Sequence, residues 1–194
     1  EYINDAEAIH NGERKMVTSL NGFEYINIGG REFEAFTTSG GLGTMCETFE
    51  GKVDTLNYKS IRYPGHGKLM KFLISELIMK DDKDNLTKIL ENAKPPVKED
   101  VVYIYAVVEG WQNEKLFRNE YYKAFYPMEI QGQEWRAISW TTAASIAAVI
   151  EMVDKGNLPS QGFIKQEEIP YEKLIQTSNG QLYLKGDSTR MSGE

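Results

Sequence analysis

The stretch FEYINIGGREFEAF, residues 23–36, constrains the fold more than any other. Apolar and polar residues alternate on both sides of Gly29-Gly30, and a two-residue glycine turn admits the positive φ angles that a tight hairpin needs. Two antiparallel strands are therefore expected. A central strand of a parallel, doubly wound sheet would instead be a near-continuous apolar run.

The hairpin leads into Thr37-Thr38-Ser39-Gly40-Gly41-Leu42-Gly43-Thr44-Met45-Cys46, one glycine short of the G-x-G-x-x-G dinucleotide fingerprint, with Cys46 in the third glycine's place. The ribose-binding acid belongs about 20 residues further on, whereas Glu47, Glu50 and Asp54 lie too close. No cofactor is expected at this loop. Thr37, Thr38, Ser39, Gly40 and Gly41 instead place hydroxyls and N–H groups before a helix over TMCETFE that Gly51 stops. Such a terminus favours an anion, a carboxylate as readily as a phosphate. A turn capped by Ser39 or Thr44 is the plainer alternative.

Further along, Asn4 or Asp5 is expected to cap a short helix through Ile9, and TLNYKSIRY to form a strand ended by Pro64-Gly65. From Lys68, the residues Leu69, Phe72, Leu73 and Leu77 with Met70, Ile74 and Ile78 predict a helix whose wide apolar stripe packs on a sheet. DNLTKILENA predicts a second helix before Pro95-Pro96. VVYIYAVVEG predicts a buried strand, KLFRNEYYKAFYPMEI a long partner after a turn at 111–114, and EWRAISW another strand. TTAASIAAVIEMVDKG predicts an Ala-rich helix with a Thr cap and a Gly stop, and residues 187–194 a frayed tail. Helices and strands fall in separate blocks. The class is α+β, with a mixed or antiparallel sheet covered by helices on one face, in one domain over 1–186.

Composition narrows the functions. The net charge is -7 and no Lys/Arg stripe occurs, which argues against nucleic acid as a partner. The greasiest stretch, KLMKFLISELIMK, is broken by Lys71, Ser75 and Glu76, so no membrane span is expected. Cys46 is the only cysteine, which excludes an intrachain disulfide and favours the cytoplasm. His10 and His66 lack companion ligands, so no metal is expected.

A second constellation is YKSIRYPGHGK. Arg62 offers a planar fork suited to a carboxylate, and His66 with Lys68 opens the next helix. The plainer alternatives are an arginine paired with a surface acid and a histidine that caps a helix. His66 is otherwise a group able to assist proton transfer.

Together, FEAFTTSGGLGTMCETFEGKVDTLNYKSIRYPGHGKLMKFL resembles the opening of the carboxy-terminal, substrate-binding domain of the saccharopine dehydrogenase family, in its bacterial form. EWRAISWTTAASIAAVIEMVDKGNLPSQGFIKQEEI is similar to the family's closing helix and its Gly-Phe/Val-x-x-Gln-Glu-x-Ile pattern, so the resemblance runs over about residues 12–183. It implies a two-domain NAD(P)-dependent oxidoreductase. An amino-terminal Rossmann domain would hold the NAD or NADP, and a second domain, of the type found at the carboxy terminus of glyceraldehyde-3-phosphate dehydrogenase, would close over the substrate and make a homodimer contact. The opening EYINDAEAIHNGE, without Met or a Rossmann start, then implies a piece of a longer protein, inactive by itself.

In members acting on saccharopine, a Thr-Leu-Arg triplet binds the amino acid substrate, and it maps here onto Ser60, Ile61 and Arg62. With Thr38, Ser39, Gly40, Gly41 and His66 these form the implied substrate-binding set. A fungal substrate-binding arginine falls near Ser39 and Gly40, where this sequence has none. The implied chemistry is hydride transfer between a nicotinamide and the carbon of a C–N bond in a secondary-amine amino acid of lysine and aminoadipate metabolism, with the acid and base groups mostly in the other domain. A lysine 6-dehydrogenase-like or carboxynorspermidine dehydrogenase-like enzyme is an alternative within the family. A non-catalytic binding or assembly module is another, given the aromatic strands with Tyr103, Tyr105, Tyr121, Tyr122, Phe125 and Tyr126.

Overall fold

The computed structural model describes residues 1–188, which form two compact units: residues 1–96 with 165–167, and residues 97–164 with 168–188. The class is α+β, as expected. All of the described strand pairings are antiparallel, and the strands are shared among four small sheets.

In the first unit, β1 (Ala6–His10) pairs with β2 (Glu13–Val17) and with β5 (Thr55–Leu56). The helix expected before Ile9 is therefore a strand. Asn11 and Gly12 take φ of 53° and 78°, the two-residue turn whose twist matches a hairpin, and Ala6, Ala8 and Ile9 are buried. The expected glycine hairpin forms as β3 (Glu24–Ile28) and β4 (Arg31–Thr37), with Gly29 and Gly30 at φ 59° and 75°. β6 (Lys59–Arg62) pairs with the other edge of β4, so β4 is central and buried over Glu34–Thr37. TLNYKSIRY thus divides between two sheets, β5 and β6, instead of forming one strand.

Three helices complete this unit: α1 (Met45–Phe49), α2 (His66–Lys71) and α3 (Lys83–Ala93), the last capped by Asp82, whose carboxylate accepts from Asn85 N–H. After Lys71 the chain passes into a π-helical turn over Phe72–Glu76. That change of period rotates the apolar stripe. Met70 and Ile74 enter a core with Leu20, Phe36 and Leu86, while Leu69, Phe72, Leu77 and Ile78 stay exposed, Leu69 at 62%. The wide stripe expected to pack on a sheet is narrower than the sequence pattern.

In the second unit, β7 (Val102–Gln112) and β8 (Lys115–Phe125) form a long two-stranded ribbon around Asn113-Glu114, both at positive φ. β7 is not the buried strand its composition predicts. No third described strand joins this sheet, and Val107, Val108 and Trp111 are exposed, Trp111 at 77%. The partner strand stops at Phe125, before Pro127, which has no N–H for a ladder. Met128–Ile130 (β9) then turns through Gln131-Gly132 to pair with Gln133–Trp135 (β10).

EWRAISW is strand only as far as Trp135, because α4 (Ala137–Asp154) starts at Ala137. The Asp100 carboxylate accepts from the N–H groups of Ala137 (2.6 Å) and Ile138 (2.9 Å), so an acid distant in sequence caps the helix in place of a Thr. Gly156 follows at φ 69°, as the Gly stop predicts. By length and composition α4 is the one described helix able to cross a bilayer. Its Trp140 and Ala144 nevertheless pack with Phe125, Leu182 and Tyr183 of the same unit, as a core helix does. A short α5 (Tyr171–Leu174) follows. The expected tail begins at Asp187, which bridges to Ala124; residues 189–194 lie outside those described.

Candidate functional site

The candidate site is built on the central strand of the first unit. Glu34 points from β4 into the protein, 1% exposed, and its carboxylate accepts from the N–H groups of Gly65 (2.7 Å) and Gly67. A buried carboxylate is costly unless it is hydrogen-bonded, and the first turn of α2 supplies donors as well as the positive end of its dipole. The turn has little freedom in sequence. Gly65 sits at φ 91°, and a Cβ on Gly67 would come within 2.4 Å of Phe23 and 2.8 Å of Phe36. The Pro-Gly-His-Gly run is thus a glycine-flanked turn clamped onto Glu34.

The clamp fixes Arg62 on one side of the turn and His66 on the other. Arg62 Nε donates to the Tyr2 hydroxyl (3.0 Å), Nη1 donates to its own Ile61 carbonyl (2.9 Å), and Nη2 lies 3.7 Å from the Glu1 carboxylate. The Tyr2 hydroxyl lies 3.1 Å from His66 Nε2. Arg62 donates to the phenol oxygen, and with Nε2 unprotonated the phenol O–H can donate to His66. The imidazole stacks on Phe36 at 6.2 Å and meets Tyr63 edge-on at 5.0 Å.

Burial holds the His66 pKa below its ordinary 6.5, the Arg62 charge lowers it further, and the Glu34 charge opposes both. Tyr2 is raised above 10 by burial, against the pull of Arg62. At neutral pH the pair is a neutral phenol on a neutral imidazole beside a guanidinium. Arg62 keeps 38% of its side chain exposed, so part of the fork still faces outward.

The glycine loop follows the central strand β4 of the same sheet, at the Lys59 end of β6 and away from Arg62. Phe36 is opposite Ser60 and Thr37 opposite Lys59, so the two sequence constellations lie on adjacent strands. Thr38 and Ser60 are both buried and bond to each other at 2.8 Å. Ser39 donates through N–H and Oγ to the Glu1 carbonyl. Thr38, Gly40 and Gly41 line a cavity of about 210 Å³, whereas Ser39, Ser60, Ile61, Arg62 and His66 do not. The implied set is therefore divided into a loop group and an Arg62–His66 group.

The anion expected at α1 is supplied by the chain itself. Thr44 makes no capping bond; its hydroxyl donates to the Glu167 carboxylate (2.9 and 3.1 Å), as does that of Thr48 (2.5 Å). The Thr48 hydroxyl is the chief cause of a Glu167 pKa below the ordinary carboxylate value. Gln166 Nε2 donates to the Leu42 carbonyl at 2.7 Å. The Gln-Glu of the late pattern thus ties that segment to the glycine loop and to α1.

Sequence reasoning missed Glu34, Tyr2 and Glu167. The first gives a local sign, an acid at a core position of an alternating strand. The other two become neighbours of the site only through long-range packing.

The loop does not fit a dinucleotide. It follows an antiparallel strand, it precedes a helix of five residues, Cys46 is fully buried, and a side chain at Gly41 would lie 2.0 Å from the Tyr58 ring. Residues 1–182 match the family described as saccharopine dehydrogenase C-terminal domain. The chain belongs to that family. It is accordingly a domain of an oxidoreductase family whose members are NAD(P)-dependent, with the nucleotide held by another domain.

Proposed function

We propose that this chain is the substrate-binding domain of a saccharopine dehydrogenase-like oxidoreductase acting on a secondary-amine amino acid of lysine and aminoadipate metabolism. The observation that carries the reading is the Glu34 clamp, which presents a partly exposed Arg62 fork at a strand end. In this reading Arg62 holds a substrate carboxylate and displaces Glu1 from Nη2. Ser60 and Ile61 shape that strand end, and His66 is kept neutral beside it. NAD or NADP, bound by a separate Rossmann domain, supplies the hydride chemistry when present, so the domain alone is inactive. A cytoplasmic setting accords with the single buried thiol, Cys46.

The test is kinetic. In the full-length enzyme, assayed with saccharopine, lysine and carboxynorspermidine, Arg62→Ala should raise KM roughly 10- to 100-fold for the true substrate, the size expected for a lost charge-assisted contact. An unchanged KM overturns the role of Arg62. The choice among the three substrates separates the saccharopine reading from the lysine 6-dehydrogenase and carboxynorspermidine alternatives.

The homodimer contact is assigned to the β7–β8 ribbon. Val107, Val108, Trp111, Leu116 and Phe117 are exposed there, a two-stranded sheet is marginal alone, and a two-fold axis pairs one such ribbon with its copy. Sedimentation of Trp111→Glu should show a monomer where the parent sediments as a dimer. A dimer in both would place the contact elsewhere, and a monomeric parent would overturn the homodimer.

A further inference from the structure

We propose that Tyr2 is a positioning residue for substrate binding: its phenol closes the Nε edge of the Arg62 guanidinium, so that a substrate carboxylate is taken end-on by the two Nη groups. The inference rests on the reading of Arg62 as the group that holds that carboxylate. It adds a residue that touches no substrate and acts through Arg62.

An arginine offers its N–H donors in one plane, and a carboxylate can be taken on its side edge, by Nε with one Nη, or on its end edge, by both Nη groups. In this structure the choice is already made. Nε donates to the Tyr2 hydroxyl at 3.0 Å and Nη1 donates to the Ile61 carbonyl at 2.9 Å, which leaves one N–H on Nη1 and both on Nη2. The Glu1 carboxylate, 3.7 Å from Nη2, is farther away than the ~2.7–2.9 Å of a charge-assisted hydrogen bond. The side edge is thus occupied and the end edge is open.

A planar group held at two of its nitrogens is fixed in orientation, and both anchors are themselves fixed. The Ile61 carbonyl belongs to β6, where Ile61 lies opposite Ala35 of the central strand. The Tyr2 ring packs on the core of Leu20, Phe36, Met70, Ile74 and Leu86, with ring centroids 5.9 Å from Phe36 and 5.7 Å from His66. His66 in turn opens α2, whose first turn Glu34 clamps, and its Nε2 lies 3.1 Å from the phenol oxygen. Ordering the long Arg62 side chain in advance removes that entropy cost from binding.

Packing alone asks only for an aromatic ring at position 2. The hydroxyl is what the core does not require, and the hydrogen bonds described for it go to Arg62 and His66. Burial raises its pKa above 10, against the pull of Arg62, so at neutral pH it keeps its proton. A neutral partner orients the guanidinium and leaves its charge for the substrate. An acid in the same place would neutralise the fork and compete with the incoming carboxylate.

Tyr2→Phe isolates the role, because it deletes the hydroxyl and keeps the packed ring. In the full-length enzyme, with whichever of saccharopine, lysine and carboxynorspermidine it turns over, Tyr2→Phe should raise KM roughly 3- to 10-fold and leave kcat within about twofold. Added to Arg62→Ala it should change KM by less than about twofold, since no guanidinium is left to position. An unchanged KM in Tyr2→Phe overturns the inference. So does an equal rise with and without Arg62, which is the result of an ordinary packing residue. A second measurement, on the 194-residue chain, follows the Arg62 Nε–H signal, assigned by its loss in Arg62→Ala. Its exchange with water should be at least roughly tenfold faster in Tyr2→Phe than in the parent, and equal exchange overturns the closed edge. The two readings fail distinguishably. An unchanged KM in Arg62→Ala overturns the carboxylate role and this inference together, whereas a raised KM there with an unchanged KM in Tyr2→Phe overturns this inference alone.

Discussion

Replacing Glu34 by alanine tests whether the site is built as described. Its carboxylate is 1% exposed and accepts from the Gly65 and Gly67 N–H groups. Hydrogen bonds to a charged group contribute about 1.5–3 kcal/mol each, so removing both should cost the first unit roughly 3–6 kcal/mol. Glu34→Gln keeps one acceptor and should cost about half as much. The three tryptophans lie in the second unit, so their fluorescence does not report on this change. Hydrogen exchange at the β4 amides does. In Glu34→Ala, exchange through unfolding should accelerate by roughly 10²–10⁴-fold, taking a factor of ten per 1.4 kcal/mol. The Glu34 charge raises the His66 pKa, so Glu34→Gln should also move the imidazole titration further below 6.5. Acceleration under tenfold in Glu34→Ala, or equal acceleration in the alanine and glutamine variants, would refute the clamp.

Other consequences can be measured directly. Gly67→Ala places a Cβ 2.4 Å from Phe23 and 2.8 Å from Phe36, an overpacking expected to cost about 1–3 kcal/mol by the same exchange measurement. Arg62→Ala removes a charge that lowers the His66 pKa, so the imidazole carbon shifts should titrate at higher pH than in the parent. Because the folded His66 pKa lies below the unfolded 6.5, the parent's stability from this group is present above pH 6.5 and is lost as pH falls through the folded value; Arg62→Ala should narrow that window. Glu151 is held at about 2 by Lys155 and by the Ser178 N–H and hydroxyl. Its contribution is present above 4.5 and lost between 4.5 and about 2, so acid unfolding of Glu151→Gln should depend less on pH over that range.

Local patterns were legible where one short segment holds all the interactions that decide them. Gly29-Gly30 between alternating runs, α3 before Pro95-Pro96, and Gly156 after α4 each depend on residues within a few positions. Asn11-Gly12 carried an equally local hairpin signal, which the capping pattern at Asn4 and Asp5 masked. The start of α4 was not legible, because its cap is Asp100, 37 residues before Ala137. Burial was the least legible property. VVYIYAVV has the composition of an inner strand, yet whether a strand is covered depends on what packs against its sheet, and here the sheet has two strands.

The sequence by itself determined the α+β class, the family signature around Arg62, and the misfit of the glycine loop to a dinucleotide, since each depends on residue type and close spacing. Only the tertiary structure decided what those residues face. Burial of Glu34 explains why glycines flank His66, and Tyr2 connects Arg62 to the imidazole across 60 residues of chain. The anion at the helix after the loop is supplied in the same way, by Glu167 from far downstream. Electrostatics and hydrogen bonding act through space, and the Glu167 carboxylate reaches Thr44 and Thr48 only once the chain has folded.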